Sequence, residues 1–373
     1  MRPIRISTII GTRPEAIKLA PVIMAARARP DEFEVRIVRT GQHRELVDEL
    51  LMEFDLAADV DLEVMRPDQD LAHVLSASVR GLSDLMARDR PDWVIVQGDT
   101  TTTLAGALAA FYNQARVGHV EAGLRTGNRC SPFPEEANRL LTTHLADLHF
   151  APTEGARRNL LREGVDPRAI VLTGNTVVDA LLRTRALASS ARKAFPPAAP
   201  SPAYFLVTAH RRENHGDALF RICAAVRELL ERHPATRAWI PMHPSPRVRE
   251  VLSDELGGHG RALLTEPLGY AAFVHALEGA TLVLTDSGGV QEECAALGKP
   301  VLVLRERTER PEAIEAGVAR VVGTKTQAIV EAASRLLEDP PSREAMARAS
   351  GAFGDGHAAE RILTALSSAQ RLA

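Results

Sequence analysis

Residues 281–293 read TLVLTDSGGVQEE. The apolar run at the start predicts a strand, and the paired glycines Gly288 and Gly289 predict a turn from that strand into a helix. The first turn of a helix has backbone N–H groups without intrahelical partners, so a glycine-rich entry favours an anion there. Ser287 and the two glycines are therefore candidate phosphate ligands, and Glu293 is placed to accept hydrogen bonds from a pair of sugar hydroxyls. Taken alone, the segment fits an ordinary turn with a capping serine equally well.

A second turn of the same kind lies near the N-terminus. The β-branched run 4–10 is followed by GTRPEAIK at residues 11–18, where Pro14 suits the first turn of a helix because its missing N–H is not needed there. Arg13 and Lys18 bring positive charge to this turn, which suits a pyrophosphate better than a neutral ligand. Two such halves facing each other across a cleft predict a site for a nucleotide-linked substrate.

Length and composition limit the class of protein. The chain has 373 residues, more than one hydrophobic core usually supports, which predicts two domains. The sequence has no apolar run of membrane-spanning length and no signal-peptide pattern, so we expect a cytoplasmic protein that does not bind a membrane. Three cysteines without metal-ligand spacing predict a reducing compartment and no metal site. A net charge of −3 argues against nucleic acid as a partner.

Strand-like runs alternate with helical stretches in both halves, which predicts parallel βαβ units and an α/β fold class. The runs are 4–10, 34–39, 93–97, 116–121, 148–151 and 170–173, then 204–208, 237–242, 262–265, 282–285, 301–304 and 319–322. A Ser/Ala/Pro-rich segment at 189–202 predicts an interdomain linker. We therefore predict an N-terminal domain at 1–185, onto which a C-terminal helix at 357–373 packs back, and a C-terminal domain at 186–356.

Carboxylates follow two of the predicted strands of the first half. Asp99 comes after the run 93–97, and Glu121 ends the run 116–121. Open α/β sheets bind ligands at the carboxyl ends of their strands, which makes both residues candidates for acid/base chemistry. A helix cap would explain Asp99 as well. Glu121 is harder to attribute to solvation, because it closes an otherwise apolar run.

Two further candidate positions follow turns. The segment PFPEEANR at 132–139 predicts a helix start, with Glu135 and Arg139 on one face and two prolines that fix the entry. An ordinary i,i+4 ion pair in a favourable macrodipole arrangement is the alternative. His210 follows the run 204–208 beside two arginines, so it is a candidate phosphate donor or an acid that assists phosphate departure. A structural histidine is the alternative there.

Taken together, these motifs resemble the non-hydrolysing UDP-N-acetylglucosamine 2-epimerases. The resemblance rests on the segments 11–18, 98–103, 121–126, 132–139, 174–179, 210–214, 286–293 and GKPVLVLRERTERPEA at 298–313. They span nearly the whole chain, and an ordered set is far more specific than any single motif. The resemblance implies a GT-B fold, two Rossmann-like doubly wound domains facing across a cleft with UDP bound in the C-terminal one, and the interconversion of UDP-GlcNAc and UDP-ManNAc.

Inverting C2 of the sugar requires either oxidation or loss of the anomeric leaving group. The sequence shows no Gly-x-Gly-x-x-Gly fingerprint of a nicotinamide cofactor, and we expect no cofactor. The resemblance implies elimination of UDP to a 2-acetamidoglucal and re-addition of UDP, which needs one acid/base group for each face of the sugar. By resemblance, the catalytic residues are Asp99, Glu121, Glu135, Arg139 and His210. Which carboxylate serves which face stays open.

The resemblance also implies a set of binding residues. It places Ser287, Gly288, Gly289 and Glu293 on the phosphate and ribose, Phe273 near the uracil, and Arg13 with Lys18 around the diphosphate. A core position is the alternative for Phe273. Many bacterial members bind a second UDP-GlcNAc as an activator, and the positions that match or neighbour that region are Gln42, His43, Glu136, Arg211 and His243. Nearby acidic groups at Glu45 and in the segment 66–69 leave activation open.

Several other predictions concern partners and competing functions. A homodimer that acts on a UDP-sugar in polysaccharide or amino-sugar biosynthesis is expected. The alternatives are a hydrolysing 2-epimerase that releases ManNAc and UDP, an epimerase of a modified UDP-hexosamine and, more remotely, a GT-B glycosyltransferase. Incubation with UDP-GlcNAc alone separates the glycosyltransferase from the epimerase, because only the epimerase needs no acceptor.

Overall fold

The computed structural model describes residues 2–41, 44–64, 66, 69–190, 203–211 and 214–371, so most of the predicted linker lies outside the described residues. The chain forms two compact units, the first at 1–180 with 354–373 and the second at 181–353. Among the described residues, every helix is too short or too polar to cross a membrane.

The first unit contains a seven-stranded sheet in the described residues. Its strands are β1 (Ile4–Ile10), β2 (Phe33–Arg39), β3 (Val60–Asp61), β4 (Trp93–Gln97), β5 (Arg116–Val120), β6 (Leu148–Ala151) and β7 (Ile170–Leu172). They pair in parallel in the order β3-β2-β1-β4-β5-β6-β7. All five residues of β4 are buried, as expected for a central strand of a parallel sheet with both faces covered.

The second unit contains a six-stranded sheet, again within the part of the chain that is described. Its strands are β8 (Tyr204–Thr208), β9 (Arg237–Pro241), β10 (Ala262–Thr265), β11 (Leu282–Thr285), β12 (Val301–Val303) and β13 (Ala319–Val321). They pair in parallel in the order β10-β9-β8-β11-β12-β13. The side chains of β8 and β11 form one apolar cluster with those of the neighbouring helices.

Helices connect the strands in both units. They are α1 (Arg13–Arg27), α2 (Arg44–Glu53), α3 (Leu71–Asp89), α4 (Thr101–Tyr112), α5 (Glu135–Thr143), α6 (Glu154–Arg162), α7 (Thr176–Ser190), α8 (Asp217–Arg232), α9 (Pro246–Leu256), α10 (Tyr270–Gly279), α11 (Gly288–Leu297), α12 (Pro311–Glu315), α13 (Thr326–Glu338), α14 (Pro340–Met346) and α15 (Ala358–Arg371). This alternation confirms the predicted α/β class.

The last helix, α15, packs on the first unit. Arg29 forms an ion pair with Glu360 near the start of α15. Asp179 accepts the N–H of Ala359 at 2.9 Å and so caps the helix N-terminus. At the other end, Arg116 donates to the carbonyl of Ala369 at 3.2 Å. Both ends of α15 are thus bound to other residues of the first unit.

The strand orders locate the candidate sites. In the first sheet the order reverses between β1 and β4, and in the second it reverses between β8 and β11. At such a switch point the loops from two strand ends diverge and leave a crevice, which is where doubly wound sheets bind ligands. Each unit therefore has one expected binding position, and the residues after these four strands decide its chemistry.

Candidate functional site

The turn after β1 is built around a buried glutamate. Thr12 caps α1, and Oε2 of Glu15 accepts the N–H groups of Gly11 at 2.8 Å and Thr12 at 2.6 Å, which makes a capping box. The other oxygen, Oε1, accepts the hydroxyl of Thr100 at 2.5 Å in the turn after β4. Burial raises the pKa of Glu15 even though these donors favour its charge. Glu15 thus ties together the two loops of the first switch point.

The predicted catalytic residue Glu121 lies in a polar cluster below the surface of the first unit. Its Oε2 forms an ion pair with Lys18, accepts Nε2 of Gln97 at 3.0 Å and accepts Nδ2 of Asn175 at 3.2 Å. Glu121 also has a φ of 65°, in the left-handed region that non-glycine residues rarely adopt. Backbone strain of this kind persists where surrounding contacts enforce it and is concentrated at functional sites. The prediction placed Lys18 around a diphosphate, and the structure places it against Glu121.

A second cluster connects Asp99 to α5. The carboxylate of Asp99 forms an ion pair with Arg139, and its carbonyl accepts Nδ2 of Asn138 at 3.0 Å. Nη1 of Arg139 also lies 3.3 Å from Oε2 of Glu136. Asp99 and Arg139, two of the predicted catalytic residues, are therefore in direct contact although they are 40 residues apart in the chain.

Glu136, predicted near an activator, occupies a buried position. Its Oε1 accepts the N–H groups of Thr126 and Gly127, each at 3.0 Å, while Oε2 faces Arg139. Glu136 therefore stabilises the loop after β5 through these two hydrogen bonds. Glu135, its neighbour, begins α5 and is half-buried, as is Arg13 at the start of α1.

In the second unit, His210 follows β8 and contacts Asp286, which follows β11. Oδ2 of Asp286 accepts the N–H groups of His210 at 2.8 Å and Arg211 at 2.9 Å, and Nδ2 of Asn214 at 2.9 Å. Oδ1 lies 3.3 Å from Nδ1 of His210. Asp286 is fully buried, whereas the side chain of His210 is 37 % exposed, so the carboxylate holds a ring that still reaches solvent.

The ring of His210 also stacks on His243, a predicted activator residue. Their centroids are 5.3 Å apart and the ring planes differ by 6°. His243 comes after β9, so three neighbouring strands contribute to this end of the second sheet. Of the remaining predicted activator residues, Gln42 and His43 lie outside the described residues.

The glycine turn at residues 286–289 enters α11 as predicted. Ser287 is the N-cap, but among the described residues its hydroxyl makes no cap hydrogen bond, so it does not act as the capping serine that the alternative requires. A Cβ atom on Gly288 would lie 3.1 Å from Cζ of Arg310, so the glycine allows a guanidinium to lie against the helix start. Nε of Arg310 is 2.8 Å from Oε1 of the buried Glu292.

Arginines surround a single buried carboxylate behind this turn. Glu309 contacts Nη1 of Arg305 at 2.6 Å, Nη2 of Arg211 at 3.0 Å and Nη1 of Arg310 at 3.3 Å. Burial opposes the charge of Glu309, yet the three arginines together hold its pKa far below the ordinary value. Three guanidinium groups therefore lie near the N-terminus of α11, where the acids Asp286, Glu292, Glu293 and Glu309 are buried as well.

The other two predicted nucleotide residues lie on helices of the second unit. Glu293 is buried in the second turn of α11, and Phe273 is half-buried on α10. In the described residues, no group of three or more His, Cys, Asp or Glu side chains could hold a metal ion.

Sequence reasoning did not single out several residues that the structure brings to these sites. They are Glu15, Gln97, Asn175, Asp286, Arg305, Glu309 and Arg310. Asp286, Gln97 and Asn175 lie at strand ends, so the rule that identified Asp99 also applied to them. The capping box Thr12-x-x-Glu15 was visible as well. Arg305 and Arg310 are close to Glu309 in the chain, whereas Arg211 is 98 residues away, so only that last pairing leaves no local signal.

Comparison with known proteins gives the family. The model of the family described as UDP-N-acetylglucosamine 2-epimerase matches residues 25–367. A UDP-N-acetylglucosamine 2-epimerase of Escherichia coli K12 is 48% identical over 369 residues, which cover 97% of this chain and 98% of the relative. A probable UDP-N-acetylglucosamine 2-epimerase of Ralstonia nicotianae is 49% identical with the same coverage of each chain.

Solved structures agree with the sequence relatives. The crystal structure of UDP-GlcNAc 2-epimerase from Neisseria meningitidis bound to UDP-GlcNAc has a TM-score of 0.94 and 43% identity, covering 98% of this chain and 100% of that one. The predicted GT-B class, with two Rossmann-like units, is confirmed by this likeness and by the two parallel sheets. The chain therefore belongs to the UDP-N-acetylglucosamine 2-epimerase family.

Proposed function

We propose that this protein interconverts UDP-GlcNAc and UDP-ManNAc without net hydrolysis. The first unit supplies the acid/base groups and the second unit binds UDP. The observation that most supports the proposal is that Asp99 and Glu121 follow the neighbouring strands β4 and β5 and pair with Arg139 and Lys18, in a chain 43% identical to an enzyme solved with UDP-GlcNAc. A protein that only bound the nucleotide sugar would have no need of ion-paired carboxylates at those strand ends.

The reaction proceeds by elimination and re-addition. The bond between C1 and the diphosphate oxygen breaks, a base takes the C2 proton, and the electron pair of that C–H bond forms the C1–C2 double bond of 2-acetamidoglucal. An acid then returns a proton to C2 from the opposite face, and the diphosphate oxygen re-forms its bond to C1. Asp99, Glu121 and Glu135 are the proposed acid/base groups, because general acid/base catalysis requires positioned carboxyl groups.

Each unit supports its role through electrostatics. In the first unit, Lys18 and Arg139 each pair with a proposed acid/base carboxylate, so both carboxylates are held in fixed positions. In the second unit, the backbone N–H groups and the positive dipole end at the N-terminus of α11 suit the diphosphate, whose negative charge grows as C1–O breaks. His210 is the proposed donor to that oxygen, with Asp286 fixing the ring.

Proton NMR of UDP-GlcNAc with the enzyme in deuterated water tests the proposal. We expect UDP-ManNAc with deuterium at C2, deuterium at C2 of recovered UDP-GlcNAc, and no accumulation of free UDP. Accumulation of ManNAc and UDP would establish the hydrolysing alternative instead. If the spectrum of UDP-GlcNAc stays unchanged and the enzyme turns over only a modified UDP-hexosamine, the protein is an epimerase of that modified sugar nucleotide.

We also propose that the protein forms a homodimer. Phe111 and Tyr112 at the end of α4 are 61 % and 64 % exposed, and their ring centroids are 6.2 Å apart. Adjacent exposed aromatic rings are typical of protein interfaces. Sedimentation equilibrium should give twice the chain mass for the parent and a shift towards monomer for Phe111→Glu/Tyr112→Glu. A parent of single-chain mass at micromolar concentration contradicts the proposal.

A further inference from the structure

His119 on β5 is a fully buried histidine that contacts the turn leading to Asp99. Its Nε2 lies 2.7 Å from the carbonyl oxygen of Gly98, and no part of the side chain is exposed. A carbonyl oxygen only accepts hydrogen bonds, so Nε2 carries the proton and donates. Burial lowers the pKa of His119 to about 4, which keeps the ring neutral and this tautomer in place at neutral pH.

Gly98 is the hinge of that turn. Its φ is 74°, between the end of β4 and the start of α4, so the chain leaves the regular sheet ladder there. The N–H of Gly98 donates to the carbonyl of Val120 at 3.0 Å, and the carbonyl of Gly98 accepts from His119. Both backbone polar groups of the glycine are therefore bound by β5, one by its backbone and one by a side chain.

Asp99 is the next residue, so the backbone conformation of this turn determines the direction of its side chain. Its carboxylate meets Arg139, and its carbonyl accepts from Asn138. Without the hydrogen bond from His119, the buried carbonyl of Gly98 would lose its donor, which is unfavourable. Glycine can adopt many backbone conformations, so the turn could then change its geometry. A small rotation there would move the carboxylate away from the arginine.

We propose that His119 is a positioning residue for Asp99, whose Nε2–H holds the Gly98 carbonyl and thereby fixes the turn that directs the Asp99 carboxylate. The inference rests on the proposed function, in which Asp99 is an acid/base group. His119 does not touch the reacting atoms, so its loss acts on kcat through geometry. Misplacement of a catalytic group by about 1 Å lowers turnover by about 10².

His149 provides a matched control. It lies directly opposite His119 in the register of β5 and β6, is 2 % exposed, and burial lowers its pKa to about 3. Among the described contacts, His149 makes no hydrogen bond to Gly98 like that of His119. A substitution at His149 therefore disturbs the same layer of the core without touching the turn before Asp99.

The experiment compares four variants by kcat, by KM for UDP-GlcNAc and by thermal unfolding. The side chain of His119→Gln has an N–H group that can reach about as far as Nε2–H of the histidine. The side chain of His119→Met is as long as that of glutamine but has no hydrogen-bond donor. We expect His119→Met to lower kcat by about 10- to 100-fold with little change in KM, as for loss of an outer partner of a catalytic group. We expect His119→Gln to recover most of the loss, His149→Met to turn over like the parent, and Asp99→Asn to lose turnover.

The possible outcomes separate the inference from the function on which it rests. If Asp99→Asn turns over like the parent, the proposed acid/base role of Asp99 is wrong. Loss in Asp99→Asn with parental turnover in His119→Met overturns only the role of His119. Equal losses in His119→Met and His149→Met, or no recovery in His119→Gln, indicate a general disturbance of the core and also overturn it. Should His119→Met not fold, His119→Phe keeps a ring without the donor and takes its place.

Discussion

Nδ1 of His210 lies 3.3 Å from Oδ1 of Asp286, and the other oxygen of the same carboxylate accepts the backbone N–H groups of His210 and Arg211. One buried carboxylate therefore binds the backbone of this histidine and lies close to its ring. A carboxylate beside one ring nitrogen favours the tautomer that carries a proton there, as in catalytic triads. Asp286 is for this reason the residue of the second unit whose replacement is most informative.

Asp286→Asn should lower kcat by about 10- to 100-fold. Its amide oxygen can still accept the three N–H groups, but its N–H₂ replaces the carboxylate oxygen beside Nδ1 of His210 and so favours the other ring tautomer. Steady-state kinetics with UDP-GlcNAc measures the effect. Asp339→Asn is the control, since Asp339 is another acid of the second unit and pairs with Ser342, away from β8 and β11. Parental kcat in Asp286→Asn would show that the ring needs no carboxylate.

The three proposed acid/base residues should fail alike. Asp99→Asn, Glu121→Gln and Glu135→Gln should each lower turnover by about 10² or more, because a positioned acid or base contributes about 10²–10⁴ to the rate. UDP affinity by calorimetry should stay near the parental value, since the proposed nucleotide residues are elsewhere. Near-normal turnover in all three variants would contradict the assignment of the cluster.

His210 and Glu293 should fail differently. His210→Ala should mainly lower kcat, because charge on the departing diphosphate grows in the transition state. Glu293→Ala should mainly weaken UDP binding, because neutral ribose hydroxyls are held equally in the ground state and the transition state. Steady-state kinetics with calorimetric UDP titration distinguishes the two. Parental UDP affinity in Glu293→Ala would mean that the turn at 286–293 is not the nucleotide site.

The buried pair of Lys18 and Glu121 should show strong energetic coupling. Removing one partner takes the opposite charge away from a buried ion, which costs about 3–5 kcal/mol of the free energy of unfolding. We therefore expect Lys18→Met/Glu121→Gln to be less destabilised than the sum of the single variants by about 1–3 kcal/mol. Denaturant unfolding of the four proteins measures this coupling.

The control is the exposed i,i+3 pair of Glu154 and Arg157, whose atoms are 2.9 Å apart. The double-mutant cycle of this pair should give a coupling energy of no more than about 0.5 kcal/mol, because solvent screens the charges of exposed pairs. Equal coupling energies in the two cycles would show that the burial of Lys18 and Glu121 adds nothing.

Acid should destabilise the fold through two histidines. Burial lowers the pKa of His119 to about 4 and that of His149 to about 3. The unfolded chain, with an ordinary histidine pKa of about 6.5, therefore takes up protons first, and each residue should remove about 2 kcal/mol of stability between neutral pH and pH 5. Stability is full above the unfolded pKa and falls as pH drops towards the folded pKa. Denaturant unfolding at several pH values measures the slope.

His119→Gln/His149→Met is the control for that slope, because neither new side chain titrates. The free energy of unfolding of this double variant should change less than that of the parent between pH 7 and pH 5. Exposed histidines such as His357 remain in both proteins and contribute equally. The same slope in parent and double variant would mean that other groups govern acid stability.

Local pattern was enough to locate most strands. The runs 4–10, 93–97, 148–151, 204–208, 262–265 and 282–285 match β1, β4, β6, β8, β10 and β11 residue for residue. A buried parallel strand is a short apolar run bounded by turn residues, so its signal is local. The two-residue strand β3 was missed because it is too short to show a pattern. The strand predicted at 116–121 ends one residue early, since Glu121 turns out of the sheet at a φ of 65°.

The candidate catalytic residues were also visible in the amino-acid order, because Asp99, Glu121 and His210 come within two residues of the ends of strands. Their partners were decided only by the tertiary fold. Lys18 and Glu121 are 103 residues apart, and Asp286 is 76 residues from His210, so no periodicity or spacing predicts either pair. Parallel strands bring distant strand ends to one edge of a sheet, and the order in which the strands lie determines which side chains meet there. The chain order thus fixes which groups are available for chemistry, whereas the fold fixes which charges are buried together and which direction each group faces.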